Sequence, residues 1–398
     1  MAGRNFLVTA EASIHRIVQE EMRQQQFAGA SVQILHKGVP VFCGNYGYAD
    51  REAGKVVRDD TIFRLYSLSK PIAAAAAYIQ LERGLLDLEA PVARYLPAFS
   101  KMQVHTEEGL VPAERPILIR ELLSMTSGLV YPDPDPVGTY MQEVFTRAGT
   151  RNRDGNPMNT AEIVDAIAEK PLAFQPGEQW RYGTSTDVMG RIIEVTAGMS
   201  LGEFYRNEIF EPLGMKDTGF YVPKEKTDRL AQLYSLEEHE EGSQKLVIEK
   251  ERTMGLTECL SAPAYESAGA GLLSTMSDYA KFAVMLLGNT QRKGPGILGR
   301  KTLELMLRPQ LTPKQEKTIY FEHLKGYSYG NFMRFYKEAN EAASSGSPGE
   351  FGWDGWTGPY MAVNREDDFI LLFMTQRCGY CNPDFIRKLR NIAYAILE

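Results

Sequence analysis

Residues 63–97 read FRLYSLSKPIAAAAAYIQLERGLLDLEAPVARYLP. Ser67 and Lys70 stand three positions apart near its head, and a run of alanines at 73–77 follows at once. The pattern predicts a helix that starts at Ser67, continues to Glu82 and stops at Gly84. Serine is a poor nucleophile unless a neighbour removes its proton. Residues i and i+3 share a helix face, so the lysine can reach the hydroxyl. A helix N-terminus favours developing negative charge, and the Ser67 N–H can donate to an oxyanion. Positive potential and partial burial would lower the proton affinity of Lys70. The alanines suit a helix packed tightly in the middle of the protein. On this reading the helix is a rigid mount for an activated serine. The four letters alone are weak, since a chain this long offers about one S-x-x-K by accident.

Outward from this stretch, GASVQILHKGVPVFCGNYGYAD (29–50) holds two β-rich runs around the HKG of a hairpin. Upstream, Ile14, Ile17, Val18 and Met22 fall at the spacing of an amphipathic helix. From about Pro91 to Gly288 the chain reads as helix and loop. IRELLSMTSGL is helical to Gly128, YPDPDPVG is a rigid loop, and NTAEIVDAIAEKPL is a helix capped by Asn159 or Thr160. The last hundred residues return to β. YSYGNFMRFYK, FGWDGWTGPYMAVNRED and DFILLFMTQRC read as three strands, and FIRKLRNIAYAIL as a closing helix. Strand-rich ends around a helical middle predict an α/β (α+β) sheet domain from residues 1–90 and 289–398. A mainly helical domain, 91–288, is inserted in it, with the site at their interface.

The chain has 398 residues and a formal charge of −7. That charge and the lack of a basic patch argue against nucleic-acid or anionic-membrane partners. No apolar stretch approaches the length of a membrane span. The N-terminus shows no secretion-type apolar segment, so a cytoplasmic location is expected. Cys43, Cys259, Cys378 and Cys381 include one C-x-x-C with no second pair, for which ordinary thiols are the plainer reading than zinc or redox chemistry. The five histidines, His15, His36, His105, His239 and His323, occupy no recognisable nucleophile context. There is no G-x-S-x-G, H-E-x-x-H or phosphate-binding glycine motif. No metal or organic cofactor is expected, and oligomeric state is not legible.

The stretch at 63–97 closely resembles the active-site helix of the serine β-lactamase and penicillin-binding-protein-like superfamily, of the class C type. The blocks IRELLSMTSGL, FQPGEQWRYGTSTDVMGRIIEVTAG, IFEPLGMKDTGF, AGAGLLSTMSDYAKFAVMLLGN and FGWDGWTGPYMAVN each look like a family block, in the right order. The closest flavour is the family VIII carboxylesterases and related acyltransferases. The resemblance implies a β-lactamase-like fold, an antiparallel sheet flanked by helices. It implies Ser67 as nucleophile, Lys70 as its partner, and Tyr182 as the tyrosine of the Y-x-N motif, its phenol made more acidic by Lys70. Trp353-Asp354-Gly355 falls where lactamases carry K-T-G, and Trp356 would supply the second oxyanion N–H beside that of Ser67. Tyr131 is a weaker candidate for lining the pocket.

The departures matter. The K-T-G lysine that holds a substrate carboxylate is replaced by Trp353, with Asp354 beside it, which should disfavour anionic substrates. The Y-x-N asparagine is absent too, since Gly183 and Thr184 follow Tyr182. The expectation is a serine hydrolase of small-molecule carboxylic esters working through an acyl-serine. An acyltransferase using the same intermediate is the nearest alternative. A weak β-lactamase, a D-amino peptidase and a non-catalytic scaffold are more remote.

Overall fold

The computed structural model describes residues 2–238, 244–250, 254–288, 296–380 and 382–397. His239 and Cys381 lie outside the described residues. An eight-stranded antiparallel sheet forms the centre. Its strands are β1 (Gly29–His36), β2 (Val39–Asp50) and β3 (Lys55–Val56) from the first part of the chain. From the last part come β10 (Tyr327–Gly330), β11 (Met333–Tyr336), β12 (Phe351–Asp354), β13 (Tyr360–Asn364) and β14 (Phe369–Thr375). The order across the sheet is β10-β11-β12-β13-β14-β1-β2-β3. The two ends of the chain meet where β1 pairs with β14, Ala30 opposite Thr375 through His36 opposite Phe369.

Every residue of β14 is buried, because both faces of the sheet are covered. Phe369, Leu371 and Phe373 pack with Ile14, Val18, Phe385 and Leu389, from the helix α1 (Ala2–Arg23) and the C-terminal helix Pro383–Ala395. Ile370, Leu372 and Met374 face the other way, into the large core shared with the remaining helices. That layer includes α2 (Lys70–Glu82), α3 (Ile119–Leu123), α4 (Pro136–Arg153), α5 (Thr160–Ala168) and α6 (Ser185–Ala197). The alanines at 73–77 are all buried, and α2 packs against α6, β12 and the helix Arg300–Met306. Without side-chain bulk these neighbours approach closely, as the sequence suggested.

The structure corrects several element boundaries. YSYGNFMRFYK is a hairpin, not one strand, and turns at Asn331 and Phe332, whose φ angles are 49° and 61°. Two positive φ angles match a primed turn. Asn331 holds it with a buried amide that accepts from Tyr78 Oη at 2.9 Å and donates to Met306 O at 2.7 Å. FGWDGWTGPYMAVN likewise divides into β12 and β13 around a turn at 355–359. Helix α3 ends at Leu123 rather than Gly128, since Met125 already has φ 58°. The end of YPDPDPVG starts α4: Asp135 caps it by accepting from Gly138 N at 2.8 Å, and Pro136 sits in the first turn, where a missing N–H costs nothing. The cap of α5 is Asn159, in a reciprocal pair with Glu162.

The stretch between the sheet-forming ends also holds strands. β5 (Gln103–Thr106) pairs with β6 (Gly109–Pro112), and β7 (Tyr234–Glu238) with β8 (Gln244–Ile248). The short β4 (Ile62–Arg64), which leads to Ser67, pairs with β9 (Leu273–Thr275). Among the described residues no helix is long and apolar enough to cross a membrane.

Candidate active site

Ser67 lies in a single 3-10 turn, Tyr66–Ser69, that feeds directly into α2; the α-helix itself begins at Lys70. The α-helix therefore starts three residues later than expected, and the serine sits one turn ahead of it. Tyr66, just before it, has φ 45°, a left-handed conformation that costs a bulky side chain about 1–3 kcal/mol. The surroundings hold that bend. Gln376 accepts from Arg64 N at 3.0 Å and donates to Arg64 O at 2.9 Å and to Thr357 Oγ1 at 3.2 Å. One buried amide thus ties the approach to Ser67 to the β12–β13 turn. Gly355 in that turn must be glycine, because a Cβ there would run into the Leu65 carbonyl oxygen. The ring of Trp356 meets Tyr66 edge to face, with centroids 5.3 Å apart, and is 43% exposed. Among the described residues neither the Ser67 nor the Trp356 backbone N–H donates to an acceptor.

Lys70 is 0% exposed, and its Nζ donates to Ser67 Oγ at 3.1 Å, Tyr131 Oη at 3.1 Å and Gly269 O at 2.8 Å. Burial pushes its pKa from the ordinary 10.5 down to about 7, against the pull of Asp187 and Asp354. Its Nζ also lies 4.8 Å from the ring centre of Tyr182. The Tyr182 hydroxyl accepts from the Trp353 indole N–H at 3.0 Å. Burial drives the Tyr182 phenol above its usual pKa, while hydrogen bonds with Ser67 and Trp353 pull the other way. This overturns the expectation of a phenol made more acidic by Lys70. In this enclosure the amine gives up charge more readily than the phenol takes it on.

Ser67, Lys70, Tyr131 and Tyr182 thus come together, with the Tyr131 hydroxyl on the lysine itself rather than merely on a wall. Trp353 does not form an open apolar slot: it is 2% exposed, and its N–H is committed to Tyr182. Asp354 points to the opposite face of β12 and pairs with the buried Arg334 at 3.1 Å. The expected bare negative charge at the substrate is therefore offset. A cavity of about 370 Å³ opens beside Asp354, between Tyr360, Arg334 and the C-terminal helix, and Ser67, Lys70 and Tyr182 do not line it.

Three contributors escaped the sequence reading. Gln376 is one. Asp187, on α6 five residues after Tyr182, accepts from Ser267 Oγ at 2.7 Å and Gly269 N at 3.2 Å. Phe321 packs on the Tyr182 ring at 5.5 Å. The block AGAGLLS was visible as a block, but nothing in it marked Gly269 as the acceptor for Lys70.

A serine and a buried amine on an alanine-rich helix, under an antiparallel sheet with helices on both faces, define a serine hydrolase of β-lactamase-like fold. The Beta-lactamase family profile matches residues 14–395, and the chain belongs to that family. It is 32% identical over 295 residues to the protein Rv1367c of Mycobacterium tuberculosis, covering 73% of this chain and 70% of that one. It is 34% identical over 209 residues to esterase EstB of Burkholderia gladioli, covering 52% and 51%. Among solved structures, EstCE1, described as a hydrolase with promiscuous acyltransferase activity, superposes with a TM-score of 0.80 at 25% identity. That match covers 99% of this chain and 100% of the other.

Proposed function

We propose that this protein cleaves neutral carboxylic esters through an acyl enzyme on Ser67. The carrying observation is Lys70 Nζ at 3.1 Å from Ser67 Oγ in a buried setting that brings its pKa to about 7. As a neutral amine Lys70 keeps two donors, for Gly269 O and Tyr131 Oη, and turns its lone pair to the serine proton. Ser67 Oγ then attacks the ester carbonyl as its proton passes to Lys70. The backbone N–H groups of Ser67 and Trp356 would hold the oxyanion. On collapse the C–O bond to the alcohol breaks, and the departing oxygen takes a proton from Lys70, relayed by the neutral Tyr182 phenol. Water repeats the sequence on the acyl-serine and releases the carboxylic acid. The resemblance to EstB supports esters as the substrate class. So does the lack of a lysine at Trp353, where a lactam carboxylate would need a cation.

The test sets p-nitrophenyl acetate and butyrate beside a chromogenic cephalosporin. Fast ester cleavage with slow or no lactam opening is expected; efficient lactam opening would overturn the substrate class. An alcohol competing with water for the acyl group would place the chain with the acyltransferases, the reading favoured by the likeness to EstCE1.

The pH profile follows from the lysine. The base works only unprotonated, so ester kcat/KM should rise as pH passes through about 7 and level off above it. A profile flat from pH 5.5 to 8.5 would remove Lys70 from the base role.

A further inference from the structure

We propose that Asp187 is a positioning residue for the reaction, fixing the 267–269 loop on Lys70 and biasing the charge of the amine. The proposal rests on the reading of Lys70 as base. Asp187 is 2% exposed, and no step described above uses it. One carboxylate oxygen, Oδ1, takes both the Ser267 hydroxyl and the Gly269 N–H. The other end of the same glycine, its carbonyl, takes Lys70 Nζ at 2.8 Å. Gly269 is thus held at its N–H by the acid and presents its C=O to the base. A side chain at 269 would intrude here, since its Cβ would lie 2.8 Å from Asp187 Oδ2 and 3.2 Å from Tyr131 Oη.

The electrostatics run the same way. Lys70 is faced by Ser67, Tyr131 and Tyr182, with Asp187 and Asp354 as the nearby anions. Asp354 is already neutralised by Arg334, whereas Asp187 is surrounded by hydroxyls and rings, Ser267, Tyr131, Tyr205 and Tyr265. Asp187 is therefore the stronger of the two anions that oppose the effect of burial on the lysine. Without it the amine would lose its proton at lower pH, and would return one less readily to the leaving alcohol.

The experiment compares the pH dependence of kcat/KM for p-nitrophenyl butyrate in wild type, Asp187→Asn and Asp187→Glu. Asp187→Asn keeps an acceptor for Ser267 and Gly269 but removes the charge. Its acid limb should move to lower pH by about one unit or more. Asp187→Glu keeps the charge, so its limb should stay near the wild-type position even if the rate falls. An Asp187→Asn limb that does not move, with or without loss of rate, would reduce Asp187 to a structural residue and overturn the proposal. If Asp187→Asn fails to fold, Asp187→Ser asks the same question with a smaller neutral side chain. Failure here is separable from failure of the esterase reading, which would appear in wild type as absent ester turnover.

Discussion

Ser67→Ala should lower ester turnover by about ten-thousand-fold or more while the thermal midpoint stays near that of the wild type. The substitution removes only the Oγ atom. Its hydrogen bond from Lys70 is partly redundant, since the amine also holds Gly269 O and Tyr131 Oη, and the Tyr182 hydroxyl that bonds to it stays held by the Trp353 indole N–H. The 3-10 turn does not depend on the hydroxyl; the Tyr66 bend is braced by Gln376, Thr357 and the ring of Trp356. A fluorophosphonate probe should label wild type and leave Ser67→Ala unmarked. Substantial turnover by the alanine variant would mean that another nucleophile does the chemistry.

Lys70→Met should cost about a thousand-fold in kcat/KM and abolish the rise in rate through pH 7. Methionine fills much of the same volume but can neither take the serine proton nor return it to the alcohol. The change should also appear in stability. The folded protein binds the Lys70 proton less tightly than the unfolded chain does, so between about pH 7 and 10 the unfolded state carries more of that proton. The penalty for burying the residue is therefore largest below pH 7 and fades as pH rises toward 10.5. Chemical denaturation of wild type at pH 6.5 and pH 9 should show stability increasing with pH more steeply than in Lys70→Met. Equal slopes in the two proteins would argue that Lys70 keeps its ordinary pKa, and would undercut the amine as base.

Both expectations start from a motif visible in the chain and end on features that are not. Sequence by itself determined the mount. A Ser-x-x-Lys set before five alanines points to a tightly packed helix with the reactive pair at its head, because spacing and bulk are local properties. Through the family resemblance it also pointed to Tyr182, and it marked DFILLFMTQRC as a strand. Hairpin boundaries were less legible. Asn331–Phe332 turns the chain with an aromatic residue in the left-handed region, and no local preference of Phe332 announces that; a buried network from Tyr78, Gln310 and Met306 imposes it.

Only the tertiary structure set the proton affinities of the two candidate groups. Lys70 and Tyr182 are both enclosed, and burial acts oppositely on them: it disfavours the ammonium and equally disfavours the phenolate. Tertiary structure likewise turned Trp353 from an open wall into the donor that holds Tyr182, and put Asp354 on the far face beside Arg334. The acid behind the lysine, Asp187, reaches it through a glycine about eighty residues away in sequence. Proton affinities at this site are set by what surrounds each group in three dimensions, and those surroundings come from parts of the chain that no local pattern connects.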